Sequence, residues 1–294
     1  MASIEIDLSV PSNTVSVVIA VHNGEKFVAE TLRSILGQTA PPAEIIVVND
    51  ASTDRTVQVV GAFGAAVSLI DAQCRDARAA RNIGAARAKS NWIAFCDADD
   101  IWLPTKLEKQ LRLANEAPGV HCVLTDFADF QDGVVSKRSH FSFAPADFWT
   151  QEPHESGFVV RTPITGKLTV FQPGITSTPI VKRSFYEREG GFDEKSPRRA
   201  HDTCYVFRCL CVVPFGVVPE VLTLYRRHPD AMSANSLEQL QYTVKVWKYM
   251  LANYPQTQPF RAQLRQGLKA MGKEIAETRR YLWKQQVKRL LAIR

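Results

Sequence analysis

Along the first hundred residues, short unbroken apolar runs alternate with stretches whose apolar positions recur every three or four residues. Val15-Ser16-Val17-Val18-Ile19-Ala20-Val21 is β-branched and ends at His22-Asn23-Gly24, and Ile45-Ile46-Val47-Val48 ends at Asn49-Asp50. Ala66 to Ile70 leads into a polar loop, and Trp92-Ile93-Ala94-Phe95-Cys96 gives way to Asp97-Ala98-Asp99-Asp100. Runs of this length without polar alternation predict strands buried on both faces. Between them, Val28, Leu32, Ile35 and Leu36 predict a helix with Asn23 as its cap. Val57, Val60 and Phe63 predict a second helix from near Asp54, and the Ala-rich stretch Arg78 to Lys89 a third. Such alternation predicts an α/β fold with a mostly parallel sheet flanked by helices. Ligands of such sheets bind beyond the carboxyl ends of the strands, which is where His22, Asn23, Asp50, Asp71 and Asp97 fall.

Further along, the pattern weakens. Residues Phe127 to Phe171 are aromatic, dotted with proline and without period, and are expected to form a variable insertion or lid. Order returns at Ile175 to Val181, and Val217 to Tyr225 reads as a further strand, interrupted by Pro219. From Leu237 the pattern is helical, broken at Asn253-Tyr254-Pro255. The last helix, Phe260 to Ile293, sets Leu264, Leu268, Met271, Ile275, Tyr281, Leu282, Val287, Leu290 and Leu291 roughly on one side.

Composition changes this picture in one place. With 294 residues, 45% hydrophobic and 22% charged, the chain is ordinary globular material. The net charge of +6 is concentrated at the end, where ten Lys/Arg and two Glu from Arg261 onward give +8 and leave the body at −2. A Lys/Arg-rich amphipathic helix suits an anionic membrane surface, a dimer contact or packing on the core, and the sequence leaves all three open. No stacking motif or recognition helix accompanies the charge, so nucleic acid is not an expected partner. Met1 to Val10 lack the features of a secretory signal, and no apolar run is long enough to span a bilayer. The six cysteines form no CxxC pair, so reduced thiols in a cytoplasmic protein are expected.

The acidic end at Asp97, Asp99 and Asp100 carries the chemistry. Carboxylates this close repel one another unless a cation or donors offset the charge. Carboxylate oxygens suit Mg2+ or Mn2+, particularly an ion that also holds phosphates. A cation beside a carboxylate at Asp50 suits a nucleoside diphosphate, with Asp50 accepting from a base imide and the cation neutralising the diphosphate. There is no GxGxxG after the first strand and no GxxxxGK[ST], so a dinucleotide-binding domain and a P-loop are poorly supported. Asp54 reads as a turn and cap residue, and Asp100 as a helix cap or a supporting acid.

Four segments together resemble the family 2 glycosyltransferases. They are Val17 to Gly24 with Leu32-x-Ser34-Ile35-Leu36-x-Gln38-Thr39, Val47 to Thr56, Ala80-Arg81-Asn82-Ile83-Gly84, and Phe95 to Pro104. The strong resemblance covers roughly Val15 to Leu113, with a weaker stretch from Ile175 to Ser233. It implies a GT-A, Rossmann-like fold, a nucleotide-sugar donor with uridine diphosphate as carrier, and inversion at the anomeric carbon. On this resemblance His22, Asn23, Asp50, Arg81 and Asp97 face the nucleotide-sugar. Asp99, with Asp97 and His228, would hold the cation. Gly190-Gly191-Phe192-Asp193-Glu194 followed by His201-Asp202 marks the acceptor side, with Gly191 and His201 lining it and Asp202 as general base. His201 stands where the family usually has Glu, so it is either a partner of Asp202 or a helix-start residue without a chemical role. Tyr225-Arg226-Arg227-His228 resembles a segment near the diphosphate.

The expected organisation is a catalytic domain over residues 1–235, with a nucleotide-sugar half near 14–113 and an acceptor half near 114–235. A basic helical extension follows over 236–294. The function implied is transfer of a sugar to a glycan or lipid-linked acceptor, with peripheral contact at the inner membrane face left open. Two alternatives stand beside it. A sugar-nucleotide nucleotidyltransferase would need a Gly-rich basic loop after the first strand, which His22-Asn23-Gly24-Glu25 is not. A silent nucleotide-binding scaffold would be marked by loss of Asp99 or Asp202, and both are present.

Overall fold

The computed structural model describes residues 13–231 and 236–292. The first strand, β1 (Val15–Val21), is followed by α1 (Val28–Leu36), β2 (Glu44–Asp50), α2 (Thr56–Gly61), β3 (Ser68–Ala72), α3 (Ala77–Ala85) and β4 (Trp92–Phe95). Next come β5 (Ile101–Trp102), α4 (Lys106–Glu116), β6 (Cys122–Gln131), β7 (Val134–Val135), β8 (Glu152–His154) and β9 (Gly157–Val160). The described chain ends with β10 (Ile180–Lys182), α5 (Arg183–Arg188), α6 (His201–Leu210), β11 (Phe215–Arg226), α7 (Ser236–Asn253) and α8 (Arg261–Ala292).

These strands form one sheet in the order β3-β2-β1-β4-β10-β6-β11-β9-β8, with β5 on β11 and β7 on β6. The first four are mutually parallel, Val18 pairing with both Ile46 and Phe95. The antiparallel β10 joins this half to β6. The unbroken apolar runs have a plain cause. Val18, Ile46 and Phe95 face one core layer, covered by α3 and α6, whereas Val17, Ile19, Ile45 and Val47 face the other, covered by α1 and α4. Alternate side chains of a strand point to opposite faces, so a sheet packed on both sides leaves few polar positions. Gly84 lets α3 lie directly on β1, since a Cβ there would fall 2.4 Å from the Val18 side chain.

Several expectations need correction. Asn23 does not cap α1. Its backbone is left-handed (φ 54°), and its Oδ1 accepts the Thr53 N–H at 2.8 Å, lacing the end of β1 to the loop after β2. Leu36 is 40% exposed, β3 begins two residues later than Ala66 predicts, and α3 stops at Ala85. The stretch from Phe127 to Phe171 is not simply a lid. It contains part of β6 and all of β8 and β9, and it buries Phe148, Phe158, Val160, Ile164 and Leu168. It shows no period because its strands are short and its packing is aromatic, with His140 stacked between Phe127 and Phe171. Pro219 does mark an irregularity, since the β11–β6 register shifts between Val218 and Val221.

The C-terminal helices are fastened to the core. α7 buries Val246, Trp247 and Met250, with Trp247 edge-on to Phe207 of α6. α8 buries Leu264 and sets Gly267 so tightly on Thr169 that a Cβ would fall 2.0 Å from its hydroxyl. The predicted apolar stripe is used for packing only over the first turns, and Tyr281 is 61% exposed. The stripe positions Leu282, Val287, Leu290 and Leu291 lie outside the residues whose side chains are described. Among the described residues, no helix is long and apolar enough to cross a membrane.

Candidate active site

The carboxyl ends of β2, β1 and β4 lie side by side, so Asp50 and Asp97 stand two strands apart, about 10 Å at the usual spacing. Four of the five non-glycine residues with positive φ among the described residues, Asn23, Ala51, Arg75 and Ala200, border this edge. Such backbone strain gathers at functional sites. Asp50 is buried, and its two oxygens accept the N–H groups of Arg75 and Asp76, each at 2.7 Å. It thereby shapes the loop that leads into α3. His22 is exposed at the lip, and its Nδ1–H donates to the Asp50 carbonyl at 2.7 Å. Asp54 accepts the Thr56 N–H at 2.9 Å, the turn role expected of it.

The acidic turn divides its carboxylates among four partners. Asp97 accepts from Arg81 Nη2 at 2.6 Å. Asp100 is wholly buried, taking the Ser177 hydroxyl at 2.5 Å and the Arg226 N–H at 3.1 Å. Burial foremost, then Asp99 and Asp97, push its pKa well above the usual carboxylate range. Asp100 is thus a supporting acid and no helix cap, because α4 begins only at Lys106. Asp99 lies 2.9 Å from His228 Nε2 through Oδ2, and its carbonyl accepts Arg226 Nε–H at 2.7 Å. Burial and then the Asp97 charge raise its pKa. Arg226 is held between the rings of Phe27 and Phe130, each 4.8 Å from its guanidinium carbon. Ser177 and Arg226 are therefore builders of the turn. Arg226 lay within the basic segment noted in the sequence, whereas nothing local marked Ser177.

In the Gly190 to Glu194 loop, Gly191 adopts φ +63° and packs against Asn82 and Tyr186, leaving no room for a Cβ. Asn82 accepts the Phe192 N–H at 2.9 Å and the Tyr186 hydroxyl at 2.6 Å, and donates to the Phe192 carbonyl at 2.9 Å. The residue after Arg81 in the third motif thus fixes the Gly-Gly-Phe loop, a role its place in the motif did not disclose. Asp202 is half-buried in the first turn of α6, where the helix terminus favours a carboxylate. Its Oδ1 accepts the Thr203 N–H at 2.9 Å, and Oδ2 has no partner among the described residues. His201 does not line the acceptor side as expected. Its ring is buried and turned inward, with both nitrogens engaged.

A divalent cation fits part of the expected set. Asp99 and His228 offer an oxygen and a nitrogen in contact, and His228 Nδ1 is buried without a partner. Asp97 is paired with Arg81 at 2.6 Å, because a buried guanidinium needs a counter-charge. Among the described residues, no three acid, His or Cys side chains are assembled as a cation cluster. Two protein ligands suit an ion that completes its shell with phosphate oxygens and water.

A sequence model described as Glycosyl transferase family 2 matches residues 16–174, more than half of the chain. An uncharacterized glycosyltransferase of Rickettsia typhi is 26% identical over 243 residues, covering 82% of this chain and 72% of that protein. The Escherichia coli UDP-Glc:alpha-D-GlcNAc-diphosphoundecaprenol beta-1,3-glucosyltransferase WfaP is 35% identical over 99 residues, covering 33% of this chain and 39% of WfaP. The Staphylococcus aureus TarS fragment 1–349 in complex with UDP-GlcNAc superposes with a TM-score of 0.61 at 17% identity, covering 88% of this chain and 71% of the fragment. The Pyrobaculum calidifontis mannosyltransferase PcManGT with GDP-Man and Mn2+ gives a TM-score of 0.58 at 17% identity, covering 96% and 83%. The family match, together with a mostly parallel sheet of the GT-A type and its acid-lined strand ends, makes this chain a member of glycosyl transferase family 2.

Proposed function

We propose that this glycosyltransferase moves a sugar with inversion from a UDP-sugar to a hydroxyl of a glycan or lipid-linked saccharide, in the synthesis of a bacterial surface polysaccharide. The observation that carries this reading is the Arg81 guanidinium, which joins Asp97, two residues before Asp99, to His201, the neighbour of Asp202 in the first turn of α6. The E. coli relative's UDP-glucose and lipid diphosphate, and the UDP-GlcNAc bound to the S. aureus protein, support the choice of donor and acceptor class.

Inversion by a single displacement needs one base and no covalent nucleophile. Asp202, with Oδ2 unengaged, takes the acceptor hydroxyl proton as that oxygen attacks the anomeric carbon, and the bond to the diphosphate breaks on the opposite face. A cation held by Asp99 and His228 would neutralise the leaving diphosphate, and the Mn2+ in the P. calidifontis neighbour supports that role. Asp50 holds the loop against which the base lies, His22 and Asn23 form the nucleotide lip, and the Gly191 loop shapes the acceptor side. Arg81 acts by holding Asp97, since its ends are committed to Asp97 and His201. The exposed basic length of α8 supplies peripheral contact with anionic lipid at the inner membrane face.

Calorimetric titration with UDP tests the donor site. Binding should tighten with Mn2+ in the wild type, and Asp99→Ala should lose that gain while keeping its fold. Equal metal dependence in both proteins would remove Asp99 from the site, and failure to release UDP from any UDP-sugar would sink the donor assignment.

A further inference from the structure

The imidazole of His201 is buried between two groups of fixed hydrogen-bonding character. Its Nδ1 lies 3.0 Å from the Arg198 carbonyl, which can only accept, so Nδ1 carries the proton. Its Nε2 lies 2.7 Å from Arg81 Nη1, which can only donate, so Nε2 is a bare lone pair. The ring is therefore neutral and locked in one tautomer. Arg81 in turn depends on it. The guanidinium is buried, its Nε has no partner, and it lies 5.1 Å over the Phe192 ring. Its two terminal nitrogens are spent on His201 and on Asp97.

We infer that His201 is a positioning residue for the donor side, whose bare Nε2 fixes the Arg81 guanidinium so that Asp97 is held at one place and angle. This rests on the transfer reaction proposed above. A neutral acceptor suits the task better than a second carboxylate would. It satisfies Nη1 without competing with Asp97 for the single positive charge of Arg81. The neighbour of His201 is Asp202, so the same contact ties the base-bearing turn of α6 to the acidic turn after β4.

Three measurements on the full chain test this. The ring nitrogens of His201, read by 15N NMR at pH 7, should show a neutral imidazole protonated at Nδ1; an imidazolium or the Nε2–H tautomer would overturn the inference. In steady-state kinetics His201→Ala should raise the donor KM about ten- to a hundredfold, the loss expected when a charged hydrogen bond goes, with the acceptor KM almost unmoved. His201→Gln offers Arg81 another neutral acceptor and should restore most of the loss. A rise confined to the acceptor KM, or a Gln variant as impaired as Ala, would refute it. Finally, His201→Ala and Asp97→Asn should be non-additive in thermal stability because they share Arg81, and additive losses would count against the link. The NMR and stability arms need no substrate. If no UDP-sugar is used at all, the transfer reading falls while these two arms still decide the link.

Discussion

Replacing Tyr249 and Tyr254 by Phe removes two hydroxyls and tests whether the C-terminal helices belong to the catalytic unit or hang from it. Both hydroxyls donate to Asp193 Oδ2, at 2.9 and 2.8 Å, within the Gly190 to Glu194 loop. Oδ1 of the same residue takes the Lys195 N–H at 2.9 Å. Burial works against the charge of Asp193, but the donors from Tyr254, Tyr249 and the Lys195 N–H, with the nearby Arg208 charge, together hold the pKa below its ordinary value. Hydrogen bonds to a charged group contribute about 1.5–3 kcal/mol each. Asp193 is half-buried and both bonds share one oxygen, so screening and non-additivity reduce the pair to about 2–4 kcal/mol. For a protein of this size that lowers Tm by about 4–8 °C. A carboxylate with a depressed folded pKa stabilises above its unfolded pKa of about 3.9 and loses that contribution as pH falls through the folded value. The deficit of the double variant should therefore be complete at pH 7 and shrink as the pH falls through the lowered folded value. Thermal and urea unfolding of both proteins at several pH values provide the measurement. An unchanged Tm at pH 7, or an equal deficit at both ends of the range, would refute the clamp.

Asp202→Asn should keep UDP binding and lose transfer by about 10²–10⁴-fold; a turnover above about a tenth of wild type with the true acceptor would exclude Asp202 as the base. Gly191→Ala forces a Cβ to within 2.7 Å of Asn82 Oδ1 at φ +63°. It should cost about 2–3 kcal/mol in urea unfolding and loosen the acceptor side, and a silent substitution would show that the loop yields. Removing residues from Arg261 onward takes away +8 of charge and the buried Leu264, so Tm should fall. Co-sedimentation with anionic liposomes at low salt should be lost together with those residues. Failure of the full-length chain to bind such liposomes would leave α8 with its packing role alone.

Local pattern alone determined the first half of this protein. Its strands and helices were legible because each is short, regular and buried on the expected faces, and the acids at Asp50, Asp97 and Asp99 stand out where apolar runs end. The resemblance to a family added the pairing of these acids with Asp202, over a hundred residues away. What tertiary structure decided is the partnership of groups distant in sequence. Asn23 looked like a cap but laces two strand ends, its Oδ1 accepting the Thr53 N–H of the neighbouring loop. Residues 127–171 looked irregular because aromatic stacking and edge-strand pairing have no period, yet they form part of the core. His201 could be read as a lining residue until Arg81, 120 positions earlier, was found on its Nε2. Asp97 is paired with Arg81 for the same reason, because a buried guanidinium takes a nearby carboxylate whatever its position in the chain.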